Sequence, residues 1–308
     1  MSNLLPHSRN INAIILHPAE NNQLDVNTRQ SQAQTDKQLI SLWLHNRSVH
    51  TQKAYLKDIM MMFEFVNKGI RDIKLQDLQD FSDFLKQKNY EPSSQHRMLA
   101  AVKSLFSFAH KKIGYTIFNT AMPLILPKFK DCLAERILSE EQVKNIIEKE
   151  NHPRNKLILR VFYTTGLRVS ELCSLKWEFF SEKGNDGLLT IFTKGGKTNT
   201  IVIPQSLWMN LKLFKNNAEE QSYVFKGRKS KSLNPSQVWR IVKKAAQKAG
   251  IDKNVSCHWF RHAHSSHALD NGCPIHLIQR QLNHSSIATT GRYLTARPTD
   301  SSSKYLNL

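Results

Sequence analysis

The chain has 308 residues, enough for about two domains at the usual 100–200 residues each. Its 40% hydrophobic content is ordinary for a folded globular protein, but its formal net charge of +19 is not. Such an excess of Lys and Arg repels itself unless a polyanion neutralises it, so nucleic acid is the expected partner. No apolar run approaches the roughly 20 residues that span a bilayer. Asn, Gln and His interrupt the N-terminus, which gives it no charged-then-apolar signal pattern, and we expect an intracellular protein with no membrane partner. Cys132, Cys173, Cys257 and Cys273 are far apart and form no CxxC pair, as expected of reduced thiols.

In chain order, residues 1–36 are polar and rich in Asn and Gln. They are expected to form a flexible arm, with at most a short ordered stretch at Ile11–Leu16. From Lys37 the pattern turns helical. Leu39, Leu42 and Trp43 form a first apolar stripe, and Tyr55, Ile59, Met62, Phe63 and Val66 a second. Leu78, Phe81, Phe84 and Leu85 form a third, and Met98, Val102, Leu105, Phe106 and Ala109 a fourth. Gly69 and the Asn89–Ser94 stretch with Pro92 break them apart, so residues 37–126 are expected to be a small four-helix domain. Pro127 and the charged residues that follow suggest a linker over 127–138.

The second domain is expected over 139–308. Ser139 and Gln142 have the spacing of a capping box at a helix start. The period then changes. Leu188–Phe192 and Thr200–Ile203 are β-type runs flanking Lys194-Gly195-Gly196-Lys197, which reads as a hairpin turn. Helical patterns return afterwards, with Asn271-Gly272 closing one helix and Pro274 opening the next. The predicted fold class is mainly α with a small antiparallel β-sheet.

Four places carry groups suited to chemistry. In Thr164–Leu172, Gly166 ends one helix and Arg168 sits in the elbow before the next, free to point into a cleft or to pair with Glu171. Lys194 lies beside glycines that permit close approach of a ligand, with Lys197 a rival on the same turn. His258 and Arg261, three apart on a helix, share a face and can present an imidazole and a guanidinium to one phosphate. A rival reading of that region is zinc, since Cys257, His258, His262, His264, His267 and Cys273 are dense there. Against it, Arg261 would sit uncompensated among the ligands and the Glu of an HExxH helix is missing. In Asn283–Leu294, Ser285 or Ser286 can cap a short helix that carries Tyr293, and a lone tyrosine there reads either as a nucleophile or as a packed aromatic.

Taken together, Arg168, Lys194, His258-x-x-Arg261, His284 and Tyr293 resemble the tyrosine recombinases, the phage integrase and Xer-like family. The likeness runs nearly letter for letter through Thr165–Leu172, matches the HxxR box, and matches the spacing from His284 to Tyr293. It covers the chain from about Ile137 onward and, more loosely, the helical domain before it, which would be the SAM-like core-binding domain. Asn283 departs from the family's usual glycine, and Trp259, Phe260 and His264 are less usual fillings of the HxxR helix.

The resemblance implies a site-specific recombinase, acting in integration, excision or resolution, that cuts and rejoins strands through a 3′-phosphotyrosine intermediate. A type IB topoisomerase-like activity and a catalytically silent DNA-binding protein are the alternatives. Arg168 and Arg261 would stabilise the pentacoordinate phosphate, since guanidinium is permanently charged and binds phosphate oxygens in a planar fork. Tyr293, with an ordinary pKa of about 10, would need its proton removed. His258 would be its base or shuttle, His284 a donor to the phosphate, Lys194 the acid for the leaving 5′-oxygen, and Glu171 a carboxylate orienting the site. No cofactor and no metal are implied. The implied partners are double-stranded DNA and further copies in a DNA-bound tetramer, possibly with a paralogous recombinase, in the cytoplasm at the bacterial nucleoid. Thr51, Lys53, Tyr55, Lys57, Arg97 and Lys103 of the helical domain are candidate DNA contacts, and Thr299–Leu308 a candidate docking helix between subunits.

Overall fold

A computed structural model of the chain describes residues 32–130, 133–192, 198–227, 232–284 and 286–296. It divides into two compact units, Met1–Lys130 and Asp131–Leu308, and the division falls inside the stretch 127–138 read as a linker. The candidate ordered stretch Ile11–Leu16 and the candidate docking helix Thr299–Leu308 lie outside the described residues.

The first unit is built on four helices. Thr35 caps α1 (Asp36–Leu44) by accepting the Gln38 N–H on its hydroxyl. Ser48 caps α2 (Val49–Val66) in the same way through the Thr51 N–H. Asn67 then ends α2 in the left-handed region at φ 51, where Asn is tolerated better than most residues. Helix α3 (Leu75–Gln87) begins where the Asp77 carboxylate accepts the Lys74 N–H at 2.8 Å. Helix α4 (Pro92–Phe108) places proline where no intrahelical N–H bond is lost, and runs on through a π-helical turn to Gly114.

The four stripes meet in one core. Leu39, Ile59, Met62, Leu78, Phe81, Leu85, Val102 and Phe106 are fully buried. Leu42 is exposed: the buried face of α1 is Leu39, Ile40, Trp43 and Leu44, and position 42 lies outside that arc. The packed unit also begins earlier than the expected arm boundary. Ala33 is buried, and the Asp36 carboxylate accepts the Ile70 N–H at 3.0 Å and the Tyr115 hydroxyl at 2.7 Å. The partners of Asp36 are far along the chain, which is why a polar residue next to a polar arm gave no local sign of them.

In the second unit, α5 (Glu140–Glu148) starts with the expected box. Ser139 Oγ accepts the Gln142 N–H at 3.1 Å, and Gln142 Oε1 accepts the Ser139 N–H at 3.0 Å. Helices α6 (Pro153–Thr165) and α7 (Val169–Cys173) follow. Three antiparallel strands come next in the order β1 (Phe180–Lys183), β2 (Asp186–Phe192) and β3 (Thr198–Ile203). Leu189 pairs with Phe180 on one side and Ile201 on the other. Leu189, Ile191, Ile201 and Ile203 make the buried face of the sheet at period two. Strand β1 escaped the sequence reading because its four residues, Phe-Ser-Glu-Lys, carry almost no apolar alternation.

Helices α8 (Gln205–Lys215), α9 (Pro235–Lys248), α10 (Cys257–Asp270), α11 (Ile275–Leu282) and α12 (Ile287–Ala296) complete the unit. Its core is centred on Phe162, Phe225 and Phe260. The later half of the expected linker belongs to this unit, because Leu133 and Ile137 are buried against Tyr293. No helix of the described residues is long and apolar enough to cross a membrane.

One ion pair in the first unit carries a measurable cost. Asp58 is 1% exposed and its carboxylate is paired with the half-exposed Arg97 guanidinium. Burial raises the Asp58 pKa above its ordinary value, and Arg97 only partly offsets this. Arg97→Ala leaves the carboxylate buried without its cation and is expected to destabilise the protein by about 1–3 kcal/mol near pH 7. Because the folded-state pKa is raised, the folded protein takes up this proton more readily than the unfolded chain. The deficit therefore shrinks as pH falls, and Asp58→Asn in the Arg97→Ala background recovers part of it. Denaturant titrations at pH 7 and pH 5 measure both effects.

Candidate active site

The site is built where three helix ends meet. Gly166 terminates α6 in the left-handed region at φ 65. A Cβ there would lie 2.6 Å from Leu282 Cδ2 and 2.9 Å from His264 Cδ2, so the elbow has room for glycine alone. Arg168 follows as the N-cap of α7. The Glu171 carboxylate accepts its backbone N–H at 2.7 Å and its Nη1 at 2.9 Å, which fixes the side chain in the elbow. The Arg168–Glu171 pair is therefore formed, and Arg168 is still more than one-third exposed.

Arg261 is the deep cation of the site, 5% exposed. Its Nη1 donates to Gly166 O and its Nη2 to Leu282 O, both at 2.6 Å. A second set of bonds holds the same helices together. His264 Nδ1 donates to Tyr163 O at 2.8 Å, while Gln281 Nε2 donates to Thr165 O and to His264 Nε2, both at 3.1 Å. Asn283 then leaves α11 in the left-handed region at φ 49, which explains how it fills a position where the family uses glycine. The next residue, His284, has its Nδ1 2.8 Å from Thr290 Oγ1. Ser286 Oγ accepts the Ala288 N–H at the start of α12. Ser285 lies outside the described residues.

Tyr293, on α12, points inward. It is 6% exposed and packs with Leu133 and Ile137, and its hydroxyl is 2.9 Å from His262 Nδ1. His258 lies one turn earlier on α10, its ring stacked 6.1 Å from that of His262.

The electrostatics tie these groups into one cluster. Burial, with Arg261 and Arg168, lowers the pKa of His258 and brings that of His284 to about 4. Burial, then His258, Arg261, Arg136 and Arg292, lowers His262 to about 4. Burial brings Arg261 itself to about 10, with Arg168 adding to the effect, so it stays charged at neutral pH. Burial raises Tyr293 against the opposing pull of Ser265, Arg261 and Arg292, so its phenol keeps its proton.

Arg168, Glu171, His258, Arg261, His284 and Tyr293 thus share one region. Lys194 and Lys197, which follow β2 and precede β3 in the sequence, lie outside the described residues. The base of that hairpin is anchored beside the site: Asn199 Nδ2 donates to Gln281 O at 2.9 Å. Among the described residues no group of three or more His, Cys, Asp or Glu is arranged to hold a metal ion. Instead the histidines of the zinc reading are spread along α10 toward different partners: His262 to Tyr293, His264 to Tyr163 and Gln281, and His267 to the Tyr163 hydroxyl.

The candidate DNA contacts of the first unit divide. Lys53 and Lys57 are exposed one turn apart on α2. Thr51 Oγ1 lies 2.8 Å from Ser48 Oγ, and Tyr55 stacks on Trp43 at 5.3 Å with the Arg47 guanidinium over its ring. Arg97 pairs with Asp58 while its side chain stays half-exposed, and Lys103 Nζ donates to the carbonyls of Met122 and Leu124. Sequence reasoning named His262 and His264 only within the zinc reading, and Gln281 not at all. His262 was within reach of it, one turn after His258 on the same face.

The phage integrase family model matches residues 136–299, and the model of the phage integrase N-terminal SAM-like domain matches 39–112. The chain belongs to the phage integrase family. Over 261 residues it is 36% identical to tyrosine recombinase XerA of Pyrococcus furiosus, covering 82% of this chain and 85% of that protein. It is 28% identical to tyrosine recombinase XerD of Vibrio cholerae over 262 residues, covering 79% and 85%. Its fold is similar to that of XerH site-specific recombinase bound to its difH substrate (TM-score 0.66, 18% identity, 90% of this chain and 86% of that one). It is also similar to lambda integrase in a tetramer bound to a Holliday junction (TM-score 0.68, 18% identity, 83% and 75%). As a phage integrase family member the chain is a tyrosine recombinase, and neither the topoisomerase-like nor the catalytically silent reading is favoured.

The elbow gives a direct test of how this integrase holds its second arginine. Gly166→Ala forces a side chain into a left-handed backbone and against Leu282 and His264. We expect a loss of about 2–4 kcal/mol in stability from strain and overpacking. Strand cleavage should also fall at temperatures where the variant is still folded, because the Gly166 carbonyl that holds Arg261 moves. Thermal unfolding and cleavage measured side by side separate the two effects.

Proposed function

We propose that this recombinase cleaves duplex DNA with Tyr293 as nucleophile, leaving a 3′-phosphotyrosine bond and a free 5′-hydroxyl, and then joins the strand to a new partner. The observation that carries the reading is a buried tyrosine hydroxyl held 2.9 Å from an imidazole in a site with two arginines. Arg168, oriented by Glu171, and Arg261 bind the non-bridging oxygens and gain strength as charge develops on them. His284 donates to the same phosphate, and His258 serves proton transfer at the site. Lys194 is the acid for the leaving oxygen by family resemblance. The phosphotyrosine ester conserves the bond energy, so rejoining draws on neither a nucleotide nor a metal ion. Assembly on DNA is as a tetramer, in keeping with the lambda integrase tetramer on its junction, with the chain itself or a paralogous recombinase as neighbour. The bacterial nucleoid is the place of action that this substrate implies.

DNA affinity comes from the positive surface. In the catalytic unit, Arg240, Lys244 and Lys248 recur every fourth residue on α9 and, with Arg154, line an open recess in which Glu150 is the one carboxylate among the described residues. The i, i+4 spacing puts the three α9 cations in a row on one helix face. In the first unit, Lys53 and Lys57 offer a second, exposed pair.

Two outcomes test this. Covalent protein–DNA adducts trapped in the encoding genome identify the target. On that duplex, in EDTA, the wild-type protein should form a denaturant-stable adduct while Tyr293→Phe forms none and binds with nearly unchanged affinity. An adduct from the Phe variant removes Tyr293 as nucleophile. Second, affinity should fall steeply with salt, and Arg240→Gln with Lys244→Gln should flatten the log–log slope by about 0.9 for each phosphate left without its cation. An unchanged slope places the DNA elsewhere on the protein.

A further inference from the structure

We propose that His262 is a further catalytic residue of this site: it accepts the Tyr293 proton as the phenol oxygen attacks the scissile phosphate. The inference rests on the reading of Tyr293 as nucleophile and adds a residue to it. Three observations carry it. The Tyr293 hydroxyl lies 2.9 Å from His262 Nδ1, and His262 is the imidazole in contact with it. The ring centroids are 5.8 Å apart with the planes tilted at 50°, so the two rings are not stacked and the contact between them is the one from hydroxyl to ring nitrogen. Finally, α10 presents His258 and His262 on one face at i, i+4, with rings stacked 6.1 Å apart, so His262 is the member of the pair that faces the nucleophile and His258 the next group along.

The Tyr293 O–H bond breaks and its proton passes to Nδ1 of a neutral His262 whose Nε2 carries hydrogen. The phenol oxygen bonds to phosphorus and the P–O5′ bond breaks. The leaving oxygen takes a proton from a separate acid, the role proposed for Lys194. On rejoining, the attacking 5′-hydroxyl gives its proton back to that acid, and His262 returns its proton to the departing phenol oxygen.

The charges around His262 make the transfer depend on substrate. His258 and Arg261 face it from its own helix, Arg136 from the turn before α5, and Arg292 and Tyr293 from α12. Burial and these cations hold its pKa to about 4, so it is a neutral acceptor at pH 7, while burial holds Tyr293 protonated. The pair is inert in the free protein. A phosphodiester bound at Arg168 and Arg261 adds the negative charge that an imidazolium at position 262 requires.

The test is single-turnover cleavage on the duplex where wild type forms its adduct, with DNA affinity and thermal unfolding as controls for His262→Gln. His262→Asn replaces it if the first variant is unfolded. The expected result is a fall in cleavage rate of about 100-fold or more, the usual worth of a positioned base. The pH profile should also change: wild type levels off once His262 is neutral, whereas the variant's rate keeps rising with pH as solvent takes over the proton. A variant with near-wild-type cleavage, or one that is slower with an unchanged pH profile, overturns the proposal. Failure of the wild type to form any adduct overturns the reading of Tyr293 itself, so the two failures are distinct.

Discussion

A guanidinium buried inside a protein must find acceptors, and Arg261 finds them at two helix ends. Gly166 O closes α6 and Leu282 O closes α11, and both are carbonyls left without an intrahelical partner. Helix C-termini carry partial negative charge, which makes them suitable neighbours for a cation. The arrangement explains several features that look separate. Gly166 lacks a Cβ because Leu282 and His264 occupy that space. His264 and Gln281 bridge the same two helix ends, which keeps the two carbonyls at the spacing that one guanidinium can span. Arg168 comes two residues after Gly166, so the elbow that serves Arg261 also aims the first arginine.

Two carbonyls do not neutralise a full positive charge. Arg168 lies close enough to disfavour the charge on Arg261, and Glu171 is the carboxylate that opposes this. The excess appears on the imidazoles of the site: His258, His262 and His284 are all held below their ordinary values by burial and then by cations. The region is thus prepared for an anion. A phosphodiester monoanion gains most when it becomes the more highly charged pentacoordinate species, since fixed cations stabilise developing charge without reorganising. The inward position of Tyr293 fits the same logic. Burial keeps its phenol protonated in the free protein, as suits the nucleophile proposed for this site.

What could be read in the sequence follows from how local each signal is. The helix stripes, the Ser139–Gln142 cap and the β2–β3 hairpin depend on neighbours within a turn or a strand, and they stand in the structure where the pattern put them. The candidate catalytic residues were legible as residue types at familiar spacings. The groups that hold them were not, because His264, Gln281 and Ser265 work through partners on other elements and no local pattern marks them. Surface charge was the least legible. Arg97 and Lys103, proposed as phosphate contacts, also have partners within the protein, Asp58 and the carbonyls of Met122 and Leu124, that no spacing in the sequence marks. Likewise, the late part of the apparent linker supplies Leu133 and Ile137, which pack on Tyr293 and could not be told from spacer residues without it.

The departure at Asn283 shows how a family pattern can be obeyed physically while being broken in letters. Three consecutive residues do three jobs. Leu282 offers its carbonyl to Arg261, Asn283 turns the chain through the left-handed region at φ 49, and His284 places its imidazole beside Thr290 on α12. The backbone conformation at the middle position therefore sets the distance between the carbonyl that anchors one active-site cation and the imidazole that would meet the same phosphate. Glycine enters that region without steric cost, and Asn enters it more readily than other residues with a side chain. A β-branched residue there would have to leave it, and Leu282 O and His284 would move together. The constraint at this point of the chain is on the φ angle, and Asn283 satisfies it.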